Sequence, residues 1–180
     1  WDPYSNPEKE ESNNEYSVFR AAKLSADHPG LQGRELQAID PQPQTAVERK
    51  AQQEISKSEP RGLILNTDRV APGYNLFAPF ASDTTYLTDQ EGKVVHTWKS
   101  EYEPGCSFYL LDNGNLLRCA KGPDPLFNAG GEGGRIQMFS WDGKLLWDWT
   151  HATEEYWLHH DIEPLSNGNI LAIAWETKTA

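Results

Sequence analysis

The chain has 180 residues and carries 16 Lys plus Arg against 27 Asp plus Glu, a formal net charge of −11. That balance argues against a nucleic-acid binder, which needs a basic footprint to displace counterions from phosphate, and against docking on an anionic membrane surface. No apolar run is long enough to span a bilayer, and the acidity is accounted for by solubility alone.

In chain order the sequence divides near residue 62. Residues 1–62 are polar, rich in Glu, Gln, Ser and Pro, and show no strand alternation. They are read as an extended, partly helical N-terminal arm with two helical stretches. One runs from about Asn14 to Ala26, with Val18, Phe19, Ala22 and Ala26 at helical spacing. The other opens on a capping box, Thr45 with Glu48, puts Val47, Ala51 and Ile55 on one face, and stops before Pro60. Neither has the apolar surface to build a core, so the arm packs on the rest of the protein or on a protein partner, or is partly disordered. The first residue, Trp1, is read as a processed or trimmed end.

From Leu63 to the last residue, turn signals alternate with apolar, aromatic-rich runs, as in an all-β array. Strands are predicted at about 84–89 and 93–98, turning at Glu91-Gly92, then at 106–111 and 116–120, turning at Asn113-Gly114. Two further hairpins follow, 134–140 with 144–149 at Asp142-Gly143, and 158–165 with 169–175 at Asn167-Gly168. A Gly in these places suits a tight hairpin because such turns need positive φ.

The array repeats. Gly92-Lys93 recurs as Gly143-Lys144 and Trp98 as Trp149; Leu111 to Leu117 recurs as Leu165 to Leu171. A period near 50 residues with four strands per unit is the signature of a β-propeller blade. Residues 63–180 are therefore expected to be a partial propeller of four-stranded antiparallel blades: an outer hairpin, one complete unit and an inner hairpin. That is about two blades, where known propellers use about four to eight, so either a longer polypeptide or other chains would complete the ring.

Cys106 and Cys119 flank the Asn113-Gly114 turn. In a two-residue hairpin Phe108 faces Cys119, and Cys106 is its diagonal neighbour, farther than a relaxed disulfide prefers. A bulge would bring the sulfurs together. Bridged or free therefore stays open, and with it the redox compartment.

The segment with most chemistry is Tyr156 to Leu165, which contains His159-His160-Asp161. The aligned triplet one repeat earlier is Gly105-Cys106-Ser107, so the scaffold does not require His-His-Asp there. The segment begins the innermost strand of its unit, where propellers place their sites. Adjacent strand residues point to opposite faces, so simple alternation aims only one His at a channel unless a bulge re-aims the other. Asp161 is of a kind to hold an imidazole in one tautomer. The bland alternative is that one His bonds a loop and the other fills space under Trp157. No other His or Cys cluster has metal-ligand spacing, and no metal or cofactor is expected.

Elsewhere the residues read as structure. His96 belongs to a packed strand face, His151 to an exposed loop and His28 to a turn. Trp147 and Trp149, with Leu145, read as core between blades. Gly130 to Gly134 lacks the Lys-Ser/Thr ending of a phosphate loop and reads as a flexible connection. Arg118 and Arg135 are the cations nearest the strand ends, of a kind to help bind an anion.

Taken together, Gly73 to Pro79, Thr85 to Asp89 and Gly92 to Trp98 resemble the start of the arylsulfotransferase (aryl-sulfate sulfotransferase) family, and so does the stretch from His159 through Ile162 to Asn167-Gly168-Asn169-Ile170-Leu171. The resemblance covers about residues 62–180 and nothing in the arm. It implies a six-bladed propeller in an exported, periplasmic or extracellular enzyme. Such an enzyme moves a sulfuryl group from an aryl sulfate to a phenol through a histidine, without a nucleotide sulfate donor. On that reading His159 and His160 are the catalytic candidates and Asp161 and Arg118 the substrate-binding ones. The family's sulfated histidine lies later in its chain, so no nucleophile is assigned. The alternative is a non-catalytic propeller, a scaffold or binding subunit of a larger assembly, with the arm wrapping a partner.

Overall fold

The computed structural model describes residues 18–39, 62–80, 82–123 and 131–178. The strands in chain order are β1 (Val18–Leu24), β2 (Tyr74–Pro79), β3 (Thr84–Thr88), β4 (Val94–Lys99), β5 (Pro104–Leu110), β6 (Leu116–Lys121), β7 (Gly134–Phe139), β8 (Leu145–Thr150), β9 (Tyr156–Pro164) and β10 (Ile170–Glu176). One 3-10 turn, Pro29–Leu31, follows β1; His28 caps it, accepting from the Gly30 amide at 3.1 Å. The strands form three antiparallel sheets in meander order, β1-β2-β3-β4, β5-β6-β7-β8 and β9-β10. The domain is all-β. Every strand read from residue 84 onward is present, with its ends moved by one or two residues.

The arm needs a correction. Residues 18–24, read as part of a helix, are the strand β1, which pairs antiparallel with β2 from Lys23↔Asn75 to Ala21↔Phe77. Val18, Phe19 and Ala22 suit a helix by spacing alone. The tertiary alternative wins because β2 offers a free edge, and ladder bonds outweigh weak local propensity. The hairpin β3-β4 is therefore the outer half of a four-stranded sheet. The helix expected from Thr45 lies outside the described residues.

The four turns share one geometry, and it is not the two-residue hairpin. In each, an amide bonds the carbonyl four residues on, and the glycine amide bonds back: Asp89 to Lys93 at 2.9 Å, Leu111 to Asn115, Ser140 to Lys144 and Leu165 to Asn169 at 2.8 Å. Gly92, Gly114, Gly143 and Gly168 hold φ of 76°, 84°, 79° and 85°. This is a three-residue loop, a type I turn closed by a left-handed glycine. The extra residue shifts the register by one. Phe108 therefore faces Arg118, not Cys119, and Tyr109 faces Leu117.

Register decides which side chains meet. Leu116, Phe108, Leu110 and Phe139 pack with Leu76, Leu87, Val95 and Trp98 of the first sheet. The other face of the middle sheet carries Leu117, Cys119 and Ile136 against Leu158 and Ile162 of β9. The middle sheet is covered on both faces, which is why β6 is buried along almost its whole length. At the first interface the Trp98 indole donates to the Ser140 carbonyl at 3.1 Å, and His96 Nε2 bonds the Trp141 carbonyl at 2.8 Å. His96 also stacks on Trp141, at 4.0 Å between ring centroids. His96 is a packed strand residue, as expected.

Trp147 and Trp149 differ from expectation. Trp98 is 1% exposed, whereas its repeat counterpart Trp149 is 41% exposed and Trp147 is 40% exposed. β8 is exposed along its whole length, because β9 packs on β5, β6 and β7 and leaves the outer strand open. There the rings stack on one another: Trp147 on Trp149 at 6.4 Å, Trp149 on His151 at 5.1 Å and His151 on Tyr156 at 5.9 Å. His151 is accordingly half-buried rather than loose in solvent.

Candidate functional site

Two strands, β5 and β9, depart from regular pairing, and the departures correspond across the repeat. In β9, Leu158 pairs with Ala174 and Ile162 with Ala172, so His159, His160 and Asp161 together oppose Ile173. In β5, Pro104 pairs with Ala120 and Phe108 with Arg118, so Gly105, Cys106 and Ser107 together oppose Cys119. Each is a β-bulge, with the surplus residues on β9 and on β5. The bulge breaks the alternation that would have set the two histidines on opposite faces. The imidazoles instead lie side by side, Nδ1 to Nδ1, with centroids 4.1 Å apart and planes at 58°. Trp175 lies 5.0 Å from the His159 ring.

Asp161 accepts a hydrogen bond from the Ser107 hydroxyl. Two residues along, Tyr109 donates to Glu163 Oε2 at 2.8 Å. Both pairs join residues 54 positions apart, the offset of the sequence repeat. Equivalent positions of successive units therefore touch, and the two bulges are tied to each other.

A glycine-rich strand end covers the histidines. Glu132 makes a backbone bridge to His159, and the Gly122 amide bonds the Gly133 carbonyl at 2.6 Å. Lys121 holds the same segment from the side, 2.9 Å from Glu103 and 3.3 Å from Glu132. A Cβ on Gly131, whose φ is +89°, would lie 2.6 Å from His159 Nε2 and 2.9 Å from His160 Nδ1; one on Gly133 would lie 2.8 Å from the Leu158 carbonyl oxygen. Only glycine lets this backbone approach so closely. By sequence these glycines read as a flexible connection, whereas their backbone is pressed against the histidines. The signal that was available is their density next to a strand carrying bulky side chains.

The electrostatics follow from burial. Desolvation lowers the His159 pKa below its ordinary value, the neighbouring His160 lowers it further, and Asp161 opposes both. The ring is neutral at pH 7. Cys119 lies beneath, its thiol donating to the His159 carbonyl at 3.6 Å. Both cysteines are free and buried. Burial pushes Cys106 up to about 11 and Cys119 up to about 12, with Asp161 and Cys106 the next contributors respectively. They are protonated, inert thiols at neutral pH, not nucleophiles.

Comparison with family models, with curated proteins and with solved structures finds no match. The site therefore has to be judged on its own geometry.

Of the four site candidates, the structure brings together His159, His160 and Asp161. It does not bring Arg118 to them. Arg118 shares a face with Phe108 and points to the first sheet, its Nη1 3.4 Å from the Asp83 carbonyl oxygen and its Nη2 3.2 Å from that of Tyr102. It is 1% exposed. Burial lowers its pKa to about 10, so it stays charged at pH 7. Its place is that of a cation stapling two sheets. Arg135 is likewise engaged, 2.6 Å from Asp148 and 3.8 Å over the Tyr102 ring. Among the described residues no cluster of three or more His, Cys, Asp or Glu is set to hold a metal ion, and no helix is long and apolar enough to cross a membrane.

Proposed function

We propose that the three sheets are consecutive blades of a β-propeller and that the protein is an arylsulfotransferase-like enzyme, with His159 and His160 at the site for the sulfuryl group. The observation that carries the reading is the bulge, which turns two adjacent imidazoles toward one another at the inner strand. The hydrogen bonds between residues one repeat apart support an axis passing near β5 and β9, as in a ring of blades. Inner strands line the channel of such a ring.

In the reaction, the S–O bond of an aryl sulfate breaks as an imidazole nitrogen bonds to sulfur, and the donor leaves as a phenolate. A phenol oxygen then attacks sulfur, the S–N bond breaks, and the acceptor's proton passes to a base. Covalent transfer splits one difficult step into two, and N–H donors stabilise the sulfuryl oxygens as charge shifts onto them. His159 and His160 are suited to that second task; neither is assigned as the nucleophile. Asp161, held by Ser107, fixes the bulge. Arg118 has no part in this proposal because it faces the first sheet.

The test is incubation of the full-length protein with 4-nitrophenyl sulfate and a series of phenols. Nitrophenol release that requires an acceptor supports the reading, and none with any acceptor would overturn it. The exposed aromatic face favours a second reading, a non-catalytic scaffold or subunit: Trp147, Trp149 and Trp175, the last 42% exposed, would dock another sheet. Inactivity together with a stable complex buried on this face would bring it forward.

A further inference from the structure

Residues 25–39 tie the first two sheets together, and the proposed reaction makes no use of them. Leu24 ends β1 in the first sheet. The chain then lies against two turns of the middle sheet and returns to the first, where the Ile39 amide donates to the Val94 carbonyl of β4 at 2.6 Å. Between those ends Leu31 is buried in the core that the two sheets share, and Leu36 packs against it. The approach to the β5–β6 turn is close: a Cβ on Gly30 would run into the Leu111 carbonyl oxygen. Arg34 bonds the Gly30 carbonyl at 2.8 Å through Nε and the Asn113 carbonyl of that turn at 3.4 Å through Nη2. Its guanidinium lies 4.1 Å over the Trp141 ring of the β7–β8 turn.

Two histidines hold this segment, each in its neutral form. A backbone amide donates, so His28 Nδ1 offers a lone pair to the Gly30 N–H. A proton on that nitrogen would remove the cap and set two N–H groups against each other. A carbonyl oxygen accepts, so His96 Nε2 carries the proton in its bond to the Trp141 carbonyl, and Nδ1 has the lone pair. The His96 ring stacks on Trp141, 4.0 Å between centroids and 8° between planes. Two groups this near one indole cannot share a face, so Trp141 lies between Arg34 and His96. A second proton on His96 would put a cation opposite the Arg34 guanidinium. Burial resists that proton most; the Trp141 carbonyl favours it, Arg34 resists it and Asp142 favours it, and the balance lies below the ordinary value. His28 has no ion-pair partner among the described residues, and its neighbour Asp27 is exposed.

We propose that residues 25–39 are an acid-released strap: a proton on His28 or on His96 removes one of its contacts, so the strap leaves the two turns as pH falls while both sheets stay folded. Released, the two rings protonate without losing a partner. By linkage the strap is held above the ordinary histidine value of 6.5 and loosens as pH falls below it. The proposal is independent of the sulfuryl-transfer reading.

The experiment is amide hydrogen exchange in the nitrogen-15-labelled full-length protein at about pH 7.5 and about pH 5.5, either side of the ordinary histidine value, with each rate corrected for its intrinsic pH dependence. The strap is read from the amides of Gly30, Leu31, Arg34 and Ile39, all hydrogen-bonded. The sheets are read from β6, which is buried along almost its whole length. At the lower pH, protection of the strap should fall about tenfold relative to β6, the change that uptake of one proton gives over one pH unit below the ordinary value. His28→Asn keeps an oxygen to cap Gly30 and cannot titrate; His96→Gln keeps an N–H for the Trp141 carbonyl. In the double variant the protection of the strap should no longer change with pH. Wild-type protection that is the same at both pH values, or that falls equally in the strap and in β6, would overturn the proposal. So would a pH response that survives in the double variant. If the double variant fails to fold, the wild-type comparison still decides.

Discussion

The bulge of β5 and the bulge of β9 are the same backbone device with different residues on it. Gly105-Cys106-Ser107 opposes Cys119; His159-His160-Asp161 opposes Ile173. The first is filled from within: Gly105 leaves room for the Cys119 sulfur, and Ser107 reaches across to Asp161. The second carries two imidazoles over a glycine-lined cover. The difference teaches that β5 and β9 share one bulged backbone, and that three residues on it set which side chains the bulge brings together. A scaffold that already breaks alternation can set neighbouring side chains beside one another without distorting the rest of the sheet.

The sharpest way to probe the frame around the bulges is the matched pair Trp98 and Trp149. Trp98→Ala should cost about 3–5 kcal/mol, as removal of a fully buried aromatic does. Trp149→Ala should cost under about 1 kcal/mol, as an exposed site does. Urea unfolding measures both. Similar losses would mean that the face of β8 is covered.

Gly105→Ala comes next. Its Cβ would lie 2.7 Å from the Cys119 sulfur, and overpacking of this kind costs about 1–3 kcal/mol. Gly168→Ala, at φ +85° with open space around it, should show only the strain of a left-handed residue, about 1 kcal/mol. Equal, small effects would mean that the first bulge is looser than described.

Ser107→Ala should cost about 1–3 kcal/mol by removing the hydrogen bond that Ser107 donates to Asp161, and Tyr109→Phe, at a more exposed pair, under about 1 kcal/mol. If neither variant moves the unfolding midpoint, the tie between the bulges is not energetic.

The smallest effect is a pH dependence. His159 and His96 both have pKa values below 6.5, chiefly through burial. Between the folded and unfolded pKa values the unfolded chain binds more protons, so stability rises with pH across that window. It should be complete above the ordinary value near 6.5 and be lost as pH falls through the lowered folded values. His96→Gln should flatten part of the slope. A stability that rises on acidification there would contradict the assigned burial.

Much of this was legible in the residues. Period-two runs and four Gly-containing turns located β3 to β10, because strand alternation and positive φ leave local marks. The type of turn was not legible, since a two-residue hairpin and a three-residue loop both use Gly, and the two differ by one residue of register. That one residue decided Arg118: a slip by one exchanges the faces of a strand, and the observed register sends its guanidinium to the first sheet. β1 was missed because its partner, β2, lies about fifty residues away in the chain and no local signal reports it. The histidine triplet stood out against its repeat counterpart. The bulge that makes a pair of it depends on the length of the opposing strand, which a single strand's sequence does not reveal.

The most direct test of the account is calorimetric binding of 4-nitrophenyl sulfate to the full-length protein and to two variants at matching bulge positions, His160→Ala and Cys106→Ala. The account predicts that His160→Ala weakens binding about tenfold or more while Cys106→Ala leaves it unchanged. Equal affinities in the two variants, or no binding by the wild-type protein, would contradict it.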